Sequence, residues 1–367
     1  MEIVSNPVHK IIAVSAGKDQ TLARLKSGEV LGWGGAGSGR ITSQYIDVCR
    51  SITDTDAKPT YITNPARYTH ISAGYGVSLG VSEQKQAFIW GFCQAGVGGN
   101  DRFSEEPAAI KGIPEASKVV AGQFLYGAID DEAKVYSWGF STDGALGRES
   151  TQINSPPGLV ALPPIKDMAI GDNFMLTLSV DGELHAWGSN SAGQLCSAHL
   201  NRVATPQRIA LTSRVKAIAA GSTHVLAITT EGKVFGWGSN QFGQIHLDKK
   251  HKTPFRKFIT EPTQIQFPEE IVAVAAGAHY SVALSITGKI YTWGWNGYGQ
   301  LGQGDLEPRG IPTPISNLSG ISALSAGESH VIALKNSEIL GWGCNDSGQL
   351  GKAAGRQTKP IAFWSIT

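Results

Sequence analysis

The feature that most constrains this chain is a recurrence. A small residue and a glycine, an alternating apolar stretch and then Trp-Gly occur together seven times. The glycines are Gly17, Gly74, Gly122, Gly171, Gly221, Gly277 and Gly327, and the tryptophans are Trp33, Trp90, Trp138, Trp187, Trp237, Trp293 and Trp342. Glycine and tryptophan lie 16 residues apart in six copies and 15 in the seventh, where Asn336-Ser337-Glu338 shortens the turn. Another glycine stands six residues after every tryptophan, from Gly39 to Gly348. Successive copies are offset by 57, 48, 49, 50, 56 and 50 residues, so the chain is an array of similar units.

Each unit has the signature of strands. Apolar residues alternate in short runs such as Val225–Ala227 and Val282–Leu284. Ser27-Gly28, Asp181-Gly182, Glu231-Gly232 and Thr287-Gly288 stand just ahead of a tryptophan, where a two-residue hairpin turn requires positive φ. An upstream strand (Val215–Ala219, Ile271–Ala275, Ile321–Ser325) ends at the small-Gly pair, and Pro206, Pro262 and Pro314 mark an edge strand before it. Four short strands in about fifty residues make one propeller blade. The expected fold is therefore all-β, a seven-bladed propeller of four-stranded blades forming one domain over 1–367, with insertions at 41–58 and 245–261. Residues 1–16 and Thr358–Thr367 are expected to complete one blade between them, so that the N- and C-terminal strands close the ring. The 45 glycines, about 12% of the chain against an ordinary 7% or so, fit blades converging on an axis where only small residues let backbones approach.

Lys+Arg 31 against Asp+Glu 30 gives a net charge of +1, which lacks the footprint of a duplex-DNA binder. The cysteines, Cys49, Cys93, Cys196 and Cys344, are too far apart in sequence for a C-x-x-C metal or redox pair, and they are expected as free thiols. No cofactor or metal site is expected. The N-terminus lacks a basic stretch followed by a long apolar run, no eighteen-residue apolar segment occurs, and the C-terminus carries no prenylation cysteine. The expectation is a cytoplasmic or nucleocytoplasmic monomer, with delivery into a host cell left open should the source be bacterial.

The copy from Ala276-Gly277-Ala278-His279-Tyr280 through Trp293-Gly294-Trp295-Asn296-Gly297-Tyr298-Gly299-Gln300-Leu301-Gly302 resembles the repeat of the regulator of chromosome condensation family. His224–Gln244 and His330–Gly351 match nearly as well, and the resemblance spans Ile11 to Gly351. Kelch units would carry a Gly-Gly doublet and WD units a Trp-Asp. The resemblance implies a seven-bladed propeller whose work is protein recognition. The founding member exchanges nucleotide on the small GTPase Ran, while relatives are ubiquitin-ligase adaptors, photoreceptors and enzyme inhibitors. It thus implies an exchange factor or activator of a Ran-like GTPase, with a non-catalytic adaptor or inhibitor as the runner-up and bond-making chemistry a distant third.

In the exchange factor, histidines three residues after the blade glycine and neighbouring acids line the GTPase-binding face. Here His224 and His330 match that position, His279 stands one residue early, and Asp19 and Asp172 lie beside it; Gln20, Val77, Leu125 and Phe174 fill it elsewhere. The competing reading satisfies these histidines inside the blade. The family's exchanger also pushes a lengthened loop into the nucleotide site. Here all seven Trp-to-Gly spacings are equal, so one of the two insertions would have to replace that wedge.

Trp295 and Tyr298 lie in a loop after a Trp-Gly, where binding aromatics concentrate, and are expected as contact residues. Lys249, Lys250, Lys252, Arg256 and Lys257 crowd a single loop. It is either a solvated loop or a contact for an acidic partner, phosphate backbone or membrane surface, with no strong nucleic-acid binding. Gly32–Gly37 satisfies G-x-G-x-x-G and Gly76–Gly80 satisfies G-x-S-x-G, but neither is followed by the helix those motifs require.

Overall fold

The computed structural model describes residues 10–35, 57–91, 104–197, 201–246, 257–352 and 355–364. Seven four-stranded antiparallel sheets stand among them, each a meander whose strands pair in chain order. A 3-10 turn interrupts them at Thr142–Gly144. Blade 5 is representative, with strands Val215–Ala220, His224–Thr229, Val234–Ser239 and Phe258–Ile265 running from the axis outward. Its second strand, HVLAIT, is buried throughout because neighbouring blades cover both faces of the sheet. The fourth strand is an edge, half-exposed, and holds Pro262, which has no N–H to give to a ladder.

Six of the seven blade-start glycines back onto the carbonyl oxygen of the next blade's glycine, while Gly122 meets the Ile170 side chain. A Cβ on Gly17 would lie 2.3 Å from the carbonyl oxygen of Gly74, one on Gly221 2.3 Å from that of Gly277, and one on Gly327 2.2 Å from that of Gly17. No side chain fits where the carbonyl of the next blade already stands, which is why the glycine recurs.

Farther from the axis the blades are joined by apolar seams. One cluster packs Leu226, Ile228 and Ile245 of blade 5 against Ala283, Tyr291 and Trp293 of blade 6, and comparable clusters fill the other interfaces. All seven repeat tryptophans are fully buried, each in the seam with the preceding blade. The indole N–H groups of Trp187, Trp237 and Trp342 donate to the carbonyls of Ala145, Gln194 and Gln300, each at 2.9 Å. In these blades the wedge adds a hydrogen bond to its buried area, whereas the indole N–H groups of Trp90, Trp138 and Trp293 are buried without one among the described residues.

The N- and C-terminal strands close the ring as expected, but across a seam between two blades and not within a shared one. Ile11–Ala16 is the inner strand of blade 1 and Gln357–Trp364 is the outer strand of blade 7, so each blade is built from consecutive strands. Closure is instead a seam like the others. Ile11 and Trp33 pack on Ile332, Ile339 and Leu350, the Trp33 indole donates to the Gln349 carbonyl at 2.9 Å, and Glu328 N–H donates to the Gly17 carbonyl at 3.1 Å. The array begins at a first strand and ends at a fourth, so no strand has to be borrowed.

Candidate functional site

In a four-stranded meander the first-to-second turn and the third-to-fourth connection emerge at the same end. One end of the propeller therefore gathers the residues just after every blade glycine together with the loops after every Trp-Gly. The residues immediately after the glycines are Lys18, Tyr75, Gln123, Asp172, Ser222, Ala278 and Glu328; they surround the mouth of a central cavity of about 360 Å³ walled by alanines. This first position is polar in six blades of seven, a signal the sequence carried and the expectation of a third-position site passed over.

Two carboxylates, Asp172 and Glu328, and one lysine, Lys18, stand at the mouth. Lys18 pairs with Glu328 at 3.7 Å, donates to the Tyr75 hydroxyl and lies 3.6 Å from the Tyr75 ring centroid. Asp172 is exposed to water yet set in the concavity, its N–H donating to the Ser222 carbonyl at 2.8 Å, with His279 near it. Burial raises the Asp172 carboxyl above its ordinary value, with Ser222 and His279 opposing. Glu328 is also raised, first by burial, and further by Asp172 and Asp19 across the mouth. Burial lowers the His279 imidazole, against the pull of Asp172.

The loops around the mouth are pinned from within. In blade 6 the Asn296 Oδ1 accepts from Leu301 N–H at 2.9 Å, its amide donates to the Asp305 and Glu307 carbonyls, and the Gln300 Oε1 accepts from Tyr298 N–H at 2.9 Å. Asn190 and Gln194, Asn240 and Gln244, and Asn345 and Gln349 repeat the arrangement. The recurring Asn…Gly-Gln therefore encodes a rigid loop rather than a ligand set.

On these rigid loops stands an aromatic cluster. Trp295 meets Tyr298 edge-on at 5.3 Å between centroids, Phe242 at 6.1 Å and His279 at 6.5 Å, and Phe242 lies 5.3 Å from His279. The Arg356 guanidinium sits 5.0 Å from the Tyr298 centroid. Spacings this close leave no room between the rings, so the cluster is a packed platform and not a cage. Phe242, which occupies the Tyr298 register one blade earlier, is 36% exposed and was missed from sequence.

Of the expected face residues, the structure brings Asp19, Asp172, His279, Trp295 and Tyr298 to this end and keeps two others away. The Asp19 carboxylate lies against Gly35 of its own blade. His224 and His330 are fully buried in seams: His224 Nε2 lies 3.0 Å from the Ser281 Oγ and His330 Nε2 3.2 Å from the Thr21 Oγ1, each on the next blade. Burial holds both imidazoles down to about 3 and hence neutral. The third position points inward because the second strand starts there; Val77, Leu125 and Phe174 at the same position are buried as well. These histidines latch blades together and do not face a partner.

The basic loop residues Lys249, Lys250, Lys252 and Arg256 lie outside the described residues, as do nearly all of 41–58 and much of 245–261. Lys257 is described, and its carbonyl accepts from Asn240 N–H at 2.9 Å. Among the described residues no group of three His, Cys, Asp or Glu is placed to hold a metal ion, Cys196 and Cys344 are free thiols, and no helix is long and apolar enough to cross a membrane.

A family profile described as the RCC1-like domain matches residues 94–363. The chain is 32% identical over 298 residues to the Ultraviolet-B receptor UVR8 of Arabidopsis thaliana, covering 78% of this chain and 67% of that protein. It is 27% identical over 321 residues to the human Regulator of chromosome condensation, covering 80% and 76%. Among solved structures, Prp20p from Saccharomyces cerevisiae shares the fold with a TM-score of 0.76 at 22% identity, over 86% of this chain and 80% of that one. The repeats, the ring of seven blades and these likenesses agree, and the chain belongs to the RCC1-like domain family.

Proposed function

We propose that this propeller is a protein-binding module that docks its partner on the mouth end, and that the partner is a Ran-like small GTPase whose nucleotide it helps to exchange. One observation carries the docking reading: an acidic mouth and a partly exposed aromatic platform lie side by side on rigid loops at one end. Aromatic anchors beside charge on a preorganised surface are the composition of an interface hot spot. The exchange reading draws support from the likeness to the Regulator of chromosome condensation and from Prp20p, a protein described with binding to Gsp1p and histones. Exchange of this kind needs no bond-making residue: a protein that binds the nucleotide-free GTPase more tightly weakens nucleotide by linkage.

A second reading, a non-catalytic adaptor or inhibitor, is favoured by the pinned loops, since in blades 4 to 7 the segment after Trp-Gly closes on its own asparagine and glutamine and offers no wedge. Release of a fluorescent guanine nucleotide from purified Ran separates the two. Acceleration by this protein, lost in Asp172→Asn and Trp295→Ala, supports exchange at this face. Binding to Ran that is indifferent to nucleotide supports the adaptor, and absence of binding removes Ran.

A further inference from the structure

The carboxylates of the mouth are unevenly served. Lys18 stands on the side of blades 7 and 1, where it pairs with Glu328 and rests on Tyr75. Asp172, on the far side, is held by its own N–H, which donates to the Ser222 carbonyl at 2.8 Å, and has the His279 imidazole near it, while Lys18 acts on it only at range. No cation stands within ion-pair distance of Asp172 among the described residues. Beyond His279, on the same side, Trp295 and Phe242 begin. Trp295 is folded over its own Gly297, where a Cβ would come within 2.4 Å of the indole, so its position is fixed before any partner arrives.

A carboxylate in a concavity, without a cation and next to a fixed aromatic surface, has one chemical complement. We propose that the mouth receives an arginine from the docked protein, its guanidinium between Asp172 and Glu328 and its apolar flanking residues on Trp295 and Phe242. Arginine suits the site better than lysine: its fork can serve two carboxylates, its plane stacks on rings, and its weaker hydration lowers the cost of entry. The alanines of the cavity wall (Ala220, Ala276 and Ala326 among them) leave room and offer no competing polar group. Asp172 raises the cost of ionising Glu328, and a cation between them relieves that repulsion. This inference rests on the reading that the mouth end docks a protein, and it adds the chemistry of the docked segment.

The test is a fluorescence titration with three capped pentapeptides, each with leucine and phenylalanine flanking a central arginine, citrulline or glutamate. Citrulline keeps the shape of arginine and removes the charge. The arginine peptide is expected to bind saturably and more tightly than the other two. Asp172→Asn, an isosteric change checked by thermal midpoint, should weaken that peptide about tenfold, in line with loss of a charge-assisted hydrogen bond, and leave the citrulline peptide unmoved. Lys18→Gln should shift affinity the opposite way, since it removes the resident cation, an outcome that mere damage to the fold would not produce. Equal binding of arginine and citrulline peptides, both lost in Trp295→Ala, would overturn the cation site and leave the docking face standing. No saturable binding by any peptide would overturn the cation site and, if Trp295→Ala also leaves the Ran measurement unchanged, the docking face with it.

Discussion

The two ends of this propeller are built from the same repeats, yet they treat their polar groups in opposite ways. At the end formed by the second-to-third turns, charges are paired across seams. Arg67 of blade 2 meets Glu29 of blade 1 at 2.8 Å, Lys216 of blade 5 meets Glu270 at 3.5 Å, and Lys85 binds Asp131 and Glu115. The turn carbonyls there cap the next blade: Gly28, Gly182 and Gly288 accept from the N–H groups of Tyr68, Val215 and Ile321. At the mouth end the backbone is stitched as thoroughly, but the side chains are not. Asp172 and Glu328 have one lysine between them, paired with Glu328, and an aromatic platform reaches solvent. Structural needs are met at both ends, so the side chains left over at the mouth are available for something outside the chain.

The largest way to break this contrast is to break the ring beneath it. Gly327→Ala would set a Cβ 2.2 Å from the Gly17 carbonyl oxygen and 2.4 Å from the His330 ring. Neither can retreat, and a loss upwards of about 3 kcal/mol is expected from overpacking against backbone. Gly320, in a loop at the other end, has φ +73 and nothing nearer than 3.7 Å from an added Cβ. Gly320→Ala should cost only the left-handed conformation, about 1–2 kcal/mol. Urea unfolding of the two variants checks the difference, and equal losses would mean that the close approach at the axis is not what selects glycine.

Next in size is the aromatic platform. Trp295→Ala is expected to cost about 2 kcal/mol in partner binding, the scale of an interface hot spot, with little change in unfolding midpoint. Ile286→Ala, at the opposite end and 63% exposed, should change neither. Should Ile286 matter and Trp295 not, the assignment of the ends would have to be reversed.

The seam histidines give an effect of similar size that appears only with pH. His224 and His330 titrate at about 3 in the folded chain, below the ordinary value near 6.5, because burial penalises the charged ring. The unfolded chain therefore binds the extra protons first. Stability from these groups is complete above about pH 6.5 and drains as pH falls toward 3, by about 1.4 kcal/mol per pH unit for each histidine. His330→Gln removes one titrating group. Its unfolding free energy should fall less steeply between pH 6 and pH 4 than that of the parent, whatever its stability at neutral pH. An unchanged slope would place the His330 ring in water.

What the sequence made legible was whatever the repeat enforces in every blade. The seven glycines and tryptophans are invariant because close packing at the axis and indole burial in the seams recur in every blade, so spacing alone revealed the blades. That the termini close the ring was legible, but their sharing of one blade was misjudged, because a strand at either end of an array carries no mark of whether it borrows a partner; only the pairing of Gln357–Trp364 with Glu338–Gly343 decides it. The site was half legible. Trp295, Tyr298 and Asp172 could be found from their loops, while His224 and His330 could not be separated from face residues by type, since a histidine serves an interior latch as well as a surface. Their neighbours in register, Val77, Leu125 and Phe174, held the answer. Phe242 and Glu328 were missed because each is unremarked in its own blade and acquires meaning only beside another.

The smallest effect tests the quiet end. Arg67 and Glu29 are both partly exposed, with side chains 47% and 31% accessible. Solvent and salt screen such a pair, and holding two flexible side chains in one geometry uses up part of the gain, so Arg67→Ala should lower stability by about 0.2–1 kcal/mol, less at high ionic strength. Partner binding should not move at all. Charge at the mouth behaves otherwise: Asp172→Asn should leave the fold alone and weaken binding, with a salt dependence carried by the association rate. Measuring stability and affinity for the two variants at two ionic strengths therefore yields a crossed result. The pair at one end registers only in folding and the acid at the other only in binding; if the two traces run parallel, the division of labour between the ends is wrong.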